Sequence, residues 1–80
     1  MRKPTQLEAG QIWRATVIKP YGMGIDIGDL VIITNDDHCR VLSGRDAGQT
    51  GYYFPPLTVV HWYFQYVGLY AGSSQELFGF

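Results

Sequence analysis

His38 and Cys39 are adjacent, in the run Asn35-Asp36-Asp37-His38-Cys39. Carboxylate, imidazole and thiol are the groups from which a base-activated cysteine or a metal nest is built. The spacing works against both. Neighbouring residues on a strand point to opposite faces, so His38 and Cys39 diverge. Asn35, Asp36 and Asp37 are accounted for by a turn, where short polar side chains bond their own backbone. The second histidine, His61, lies in the aromatic run Val60-His61-Trp62-Tyr63-Phe64 and reads as a surface histidine. Cys39 is the one cysteine. It reads as a small core residue, and it excludes an internal disulfide or a cysteine-built zinc site. The glycines do not stand between a strand and a helix, so no phosphate loop or dinucleotide fingerprint is present. The expectation is a non-enzymatic chain, with no catalytic residues, no metal and no cofactor.

The sequence is better supplied for binding. After Asp46 the only charged residue is Glu76, and that stretch holds Tyr52, Tyr53, Phe54, Trp62, Tyr63, Phe64, Tyr66, Tyr70, Phe78 and Phe80. A small domain cannot bury so many rings, and an exposed Tyr or Trp combines large contact area with a polar tip. Tyr53, His61 and Tyr63, extended by Phe78 and Phe80, are therefore expected to form a protein-binding surface. An alternative set is Arg40 and Arg45 beside Tyr52, which would offer cations to phosphates and a ring to nucleic-acid bases. A third reading is self-association through a free sheet edge, favoured by near-zero net charge.

These residues must be positioned by a single domain spanning residues 1–80, with 1–9 and 72–80 expected as flexible ends. The chain is 46% hydrophobic and 16% charged, which excludes a disordered tail. Its net charge of −1 gives no general attraction to phosphate. Gly and Pro recur at short intervals, which predicts short strands rather than helices. The predicted strands are residues 11–19, 30–34, 38–42, 51–54 and 58–67. Leu30-Val31-Ile32-Ile33-Thr34 is apolar on both faces, as a central strand requires. In the last strand Val60, Trp62, Phe64 and Tyr66 are expected inward, and His61, Tyr63 and Gln65 outward. The fold class expected from this pattern is all-β, a small antiparallel barrel or sandwich of about five strands. No signal-peptide pattern opens the chain, which predicts a cytoplasmic protein. Residues 57–72 carry no charge but fall short of the roughly 20 that a spanning helix needs, so no membrane association is expected.

Residues 38–52 resemble a KOW motif: an apolar strand, then Gly44, Gly48 and Gly51 at the family's glycine spacing, then an outgoing strand through Tyr52. The glycines fit a tight loop that needs positive φ. KOW elements sit in SH3-like barrels of ribosomal large-subunit proteins and transcription elongation factors. The resemblance thus implies a small antiparallel SH3-like barrel of about five strands and contact with RNA or RNA polymerase. RNA-binding KOW loops usually carry Lys or Arg, whereas this loop has Ala47 and Gln49 and keeps only Arg45. Ile27-Gly28-Asp29-Leu30-Val31 and Thr50-Gly51-Tyr52-Tyr53-Phe54-Pro55-Pro56 also resemble eukaryotic-type SH3 domains. Cys39 and Thr58 stand where that family's proline groove has its tryptophan and tyrosine. Ala9-Gly10-Gln11-Ile12-Trp13-Arg14 is similar to the opening of SH3-like ribonuclease toxins and of assorted bacterial and phage proteins, without the toxins' Arg-Pro strand. Together these imply an interaction module, of the kind a phage-type accessory protein uses on a large host machine such as RNA polymerase or a ribosome.

Overall fold

The uncharged run beginning at Leu30 takes the centre of one antiparallel sheet in the computed structural model, which describes residues 4–35 and 37–70. The strands are β1 (Gln11–Ala15), β2 (Leu30–Asn35), β3 (His38–Val41), β4 (Tyr52–Tyr53) and β5 (Phe64–Leu69). Their order across the sheet is β4-β3-β2-β1-β5. β2 is flanked on both sides, which is why Val31, Ile32 and Ile33 are all fully buried. The described residues form no α-helix, only two short 3-10 turns at Pro20–Gly22 and Val60–Trp62. None of them is a helix long and apolar enough to cross a membrane. The protein is all-β, five antiparallel strands in one sheet, an arrangement compatible with an SH3-like barrel.

Alternation along the strands selects the core. Trp13, Val31, Ile33, Cys39 and Val41 face inward and meet Phe54, Val60 and Phe64 from the second half of the chain. The Trp13 ring lies 5.6 Å from Phe54 and 5.2 Å from Tyr66, tilted or edge-on in each case. Such pairs add about 0.5–1.5 kcal/mol each beyond the area they bury. The indole N–H does not go unmet. Trp13 Nε1 donates to Gln11 Oε1 at 3.3 Å, and Gln11 Nε2 donates to the Gln6 carbonyl at 2.8 Å. Gln11 is the buried polar side chain among the described residues, and through it the core tryptophan tethers the segment that precedes β1.

β3 ends one residue early and β4 keeps only the two central residues of its predicted span, and two other predicted strands change more. β1 stops at Ala15 instead of running to residue 19, because the Thr16 amide turns to the Tyr63 carbonyl at 2.8 Å and Lys19 enters the left-handed region at φ 46°. Residues 58–63 are not strand. Val59, Trp62 and Tyr63 donate to the carbonyls of Pro56, Val59 and Val60 at 3.0 Å each, forming turns. The chain leaves β4 at one edge of the sheet and must cross to the opposite edge to join β1, which a straight strand cannot do. The corner also re-aims the rings. Val60 and Phe64 are buried as expected, but Trp62 is 69% exposed and Tyr63 packs partly against the core.

The β3–β4 connection carries its glycines at φ 85° (Gly44), 93° (Gly48) and 83° (Gly51), the left-handed region that the glycine spacing called for. Gly44 is also required for space. A Cβ there would lie 2.5 Å from Asp29 Oδ2. That oxygen accepts the Asp26 amide at 3.0 Å, and the Ser43 hydroxyl, 3.5 Å from Asp29 Oδ1, accepts the Leu30 amide at 3.0 Å. Asp29 thereby pins the β1–β2 loop to the start of the β3–β4 loop.

Candidate binding groove

Four segments converge on one open groove of about 990 Å³. They are the chain before β1, the β1–β2 loop, the turn before β3, and the stretch from β4 towards the second 3-10 turn. Tyr21 and Tyr53 stand on its walls, Leu7 and Leu57 are partly buried in it, Phe54 backs it, and Glu8 and Asp37 supply its charge.

Tyr21 is held by its backbone. Lys19 (φ 46°, ψ 51°) and Tyr21 (φ 52°, ψ 32°) are both left-handed, on either side of buried Pro20. A left-handed conformation costs an L-residue about 1–2 kcal/mol, and a bulky aromatic has no local compensation for it. The surroundings impose it. Lys19 donates to the Ile25 carbonyl at 2.9 Å, Met23 to that of Pro20 at 2.9 Å, and the Met23 and Ile25 side chains are sunk in the core. The loop is therefore anchored on both sides of the tyrosine while the tyrosine itself stays 44% exposed. Its ring meets Tyr63 edge-on at 5.6 Å, and Tyr63 in turn lies 6.5 Å from exposed Trp62.

Tyr53 is positioned by its strand. It pairs with His38 across β3 and β4, their rings 4.6 Å apart, and it is 64% exposed. His38 is itself oriented, because its Nδ1 lies 2.6 Å from Asp37 Oδ1 and 3.0 Å from Asn35 Oδ1. Both oxygens are acceptors, so Nδ1 carries the hydrogen. The Phe54 amide donates to the Asp37 carbonyl at 2.8 Å and closes this side of the groove.

The residues singled out from sequence are distributed as follows. Tyr53 lines the groove. Tyr63 sits behind Tyr21 as a partly buried support rather than a free surface ring. His61 is exposed, but its ring lies 6.0 Å from buried Trp13 and does not line the groove. Phe78 and Phe80 lie outside the described residues, as does Asp36. Of the nucleic-acid set, Arg45 is exposed in the β3–β4 loop. Tyr52 pairs with Cys39 and shares its inward face, whereas Arg40, the next residue on β3, points to the other face. The Tyr52 hydroxyl donates to Asp46 Oδ2 at 3.1 Å, and this bond, with some desolvation, raises the phenol above its ordinary range. The sheet thus does not bring Arg40 and Tyr52 together. Cys39 is fully buried, its Sγ 3.9 Å from Met23 Sδ, and burial pushes the thiol up to about 12. Among the described residues no three His, Cys, Asp or Glu side chains cluster as metal ligands.

Tyr21, Trp62, Glu8 and Asp37 were not singled out from sequence as site residues. The signal for Tyr21 was present in Lys19-Pro20-Tyr21-Gly22, an aromatic between the two residues that most constrain a turn. Comparison of the chain with family models, with curated proteins and with solved structures gave no match.

Proposed function

We propose that this chain is a non-enzymatic protein-interaction module of SH3-like build with a KOW-like β3–β4 hairpin. It docks a segment of a larger protein in the groove between Tyr21 and Tyr53. The observation that carries the reading is Tyr21, an exposed aromatic held in a left-handed backbone by a loop anchored in the core. Strain of this kind persists where the surroundings over-determine it, and it concentrates at binding sites. A ring fixed before binding loses little further freedom when a partner arrives. Exposed Trp62, reached from Tyr21 through the partly buried Tyr63, adds a second surface ring, and aromatic anchors dominate protein interfaces. The Cys39 thiol is buried in the core and does not line the groove. The KOW and phage-type resemblances make a large nucleoprotein machine, such as RNA polymerase or a ribosome, the partner class proposed.

The test is a tagged pull-down from host lysate with and without nuclease, repeated with Tyr53→Ala and Trp62→Ala. A stoichiometric protein that survives nuclease and falls at least about tenfold with Tyr53→Ala supports the groove, such losses being typical of central aromatic anchors. A catch that vanishes with nuclease and depends on Arg40 and Arg45 replaces this reading with nucleic-acid binding. Mass that grows with protein concentration in the absence of lysate replaces it with self-association.

A further inference from the structure

Resting on the groove reading, we infer that the segment it accepts presents a lysine or arginine side chain between Tyr21 and Tyr53, beside the carboxylates of Glu8 and Asp37. The groove's charge is one-sided. Among the described residues its two carboxylates, Glu8 and Asp37, are met by neither Lys nor Arg in the lining. Arg14 and Arg40 project from β1 and β3 to the sheet face opposite Trp13 and Cys39. Among the described residues the lining thus holds two carboxylates, one of them met by the His38 imidazole at 2.6 Å, beside the exposed rings of Tyr21 and Tyr53.

Both carboxylates are oriented. Gln6 Nε2 donates to Glu8 Oε1 at 2.6 Å, and His38 Nδ1 to Asp37 Oδ1 at 2.6 Å. A carboxylate has about four acceptor positions, so one such bond leaves it able to accept from an ammonium or guanidinium. The segment that carries Glu8 is tethered through the Gln6 carbonyl to Gln11 and Trp13, and the residue that carries the second carboxylate is closed down by the Phe54 amide. The rings complete the match. A tyrosine face attracts a cation through its quadrupole, and the stem of Lys or Arg lies well along apolar side chains such as Leu7 and Leu57. An acidic or purely apolar occupant would leave these two carboxylates partly desolvated without a counter-charge.

The experiment is an NMR titration of the isotope-labelled 80-residue chain. The probes are four mixtures of short end-blocked peptides with Ala, Leu and Ser flanks and a central residue fixed as Arg, Lys, norleucine or Glu. The expected result is binding of the Arg and Lys mixtures about tenfold tighter than the Glu mixture, with shifts at Glu8, Tyr21, Asp37 and Tyr53. The preference should shrink in about 1 M salt, where the screening length is about 3 Å. Glu8→Gln combined with Asp37→Asn should bring the Arg mixture down to the affinity of the norleucine mixture. Four mixtures that bind the groove equally well would overturn the cation preference and leave the groove reading intact. If no mixture shifts the groove resonances, both fall. A preference that survives in the Glu8→Gln, Asp37→Asn variant would overturn the assignment of the two carboxylates.

Discussion

Three glycines of the β3–β4 connection share a left-handed backbone but differ in what a methyl group would meet, so they separate two physical costs. Gly48 and Gly51 open onto free space, whereas a Cβ on Gly44 would come within 2.5 Å of Asp29 Oδ2. An L-residue in this region costs about 1–2 kcal/mol, offset by about 0.4–1 kcal/mol because alanine restricts the unfolded chain. Gly48→Ala and Gly51→Ala should therefore each destabilise by about 1 kcal/mol. Gly44→Ala adds displacement of the Asp29 carboxylate from the Asp26 amide and Ser43 hydroxyl. Hydrogen bonds to a charged group contribute about 1.5–3 kcal/mol, which brings the total to about 3 kcal/mol. For a chain of 80 residues, with total stability of about 4–12 kcal/mol, each kcal/mol lowers Tm by about 6 °C. The assay is thermal and urea unfolding of the three variants, followed by Gly44→Ala in an Asp29→Ala background. There Gly44→Ala should cost no more than Gly48→Ala, a coupling of about 2 kcal/mol against an additivity error of about 0.5 kcal/mol. Equal costs at Gly44 and Gly48, or additive Asp29 and Gly44 effects, would refute the assignment of the extra cost to the carboxylate.

Other consequences are open to simpler measurements. Tyr63→Ala should lower stability by about 2 kcal/mol, because the ring packs on the core and on Tyr21, while Tyr53→Ala should cost under about 1 kcal/mol; thermal melts showing the reverse order would place the wrong ring at the surface. Gln11→Leu should destabilise by about 1–3 kcal/mol by orphaning the Trp13 indole N–H, and proton exchange at that N–H should accelerate relative to neighbouring core amides. Burial pushes Cys39 from 9.0 to about 12, so the native state holds this proton more tightly than the unfolded chain. Its contribution is complete below pH 9 and is lost as pH rises towards 12, at about 1.4 kcal/mol per pH unit. Urea titrations across that window should show the slope in the parent and a flatter one in Cys39→Ala, and an unchanged slope would remove the thiol from the account.

What could be read in the sequence was what local physics decides. Leu30 to Thr34 has no polar face, so it had to be central, and the glycines at 44, 48 and 51 announced positive φ by type and spacing. Cys39 and Val41 share an inward face because alternation along a strand allows nothing else. The reading failed where the rest of the molecule outvoted local preference. The β-branched and aromatic residues from 58 to 63 look like strand, yet the chain must turn a corner there to reach β1, and this sends Trp62 outward and Tyr63 inward. The turn around Tyr21 was legible in its flanking Pro and Gly, but its backbone was hidden for a related reason. Nothing about a tyrosine favours a left-handed backbone, and only the anchoring of Met23 and Ile25 in the core imposes it. Glu8 and Asp37 are far apart in sequence, so no spacing rule links them. The groove exists only as a tertiary object.

The pairing of β1 with β5 gives the groove a history as well as a shape. β1, β2, β3 and β4 follow one another and can zip as neighbours, but the second edge of β1 must wait for β5, at the far end of the described chain. Gly10 spans that junction, its amide donating to the Ile33 carbonyl at 2.9 Å and its carbonyl accepting the Tyr70 amide at 2.8 Å. Long-range closure of this kind is slow, and small barrels of comparable topology fold in milliseconds to seconds rather than microseconds. The wall of the groove that carries Glu8 leads directly into Gly10 and β1. The strand behind that wall is held by β2 early and is secured along its second edge only when β5 has paired. A partner that recognises the finished groove is thereby denied a chain in which β5 has not yet paired, so binding itself reports that the polypeptide is folded through β5.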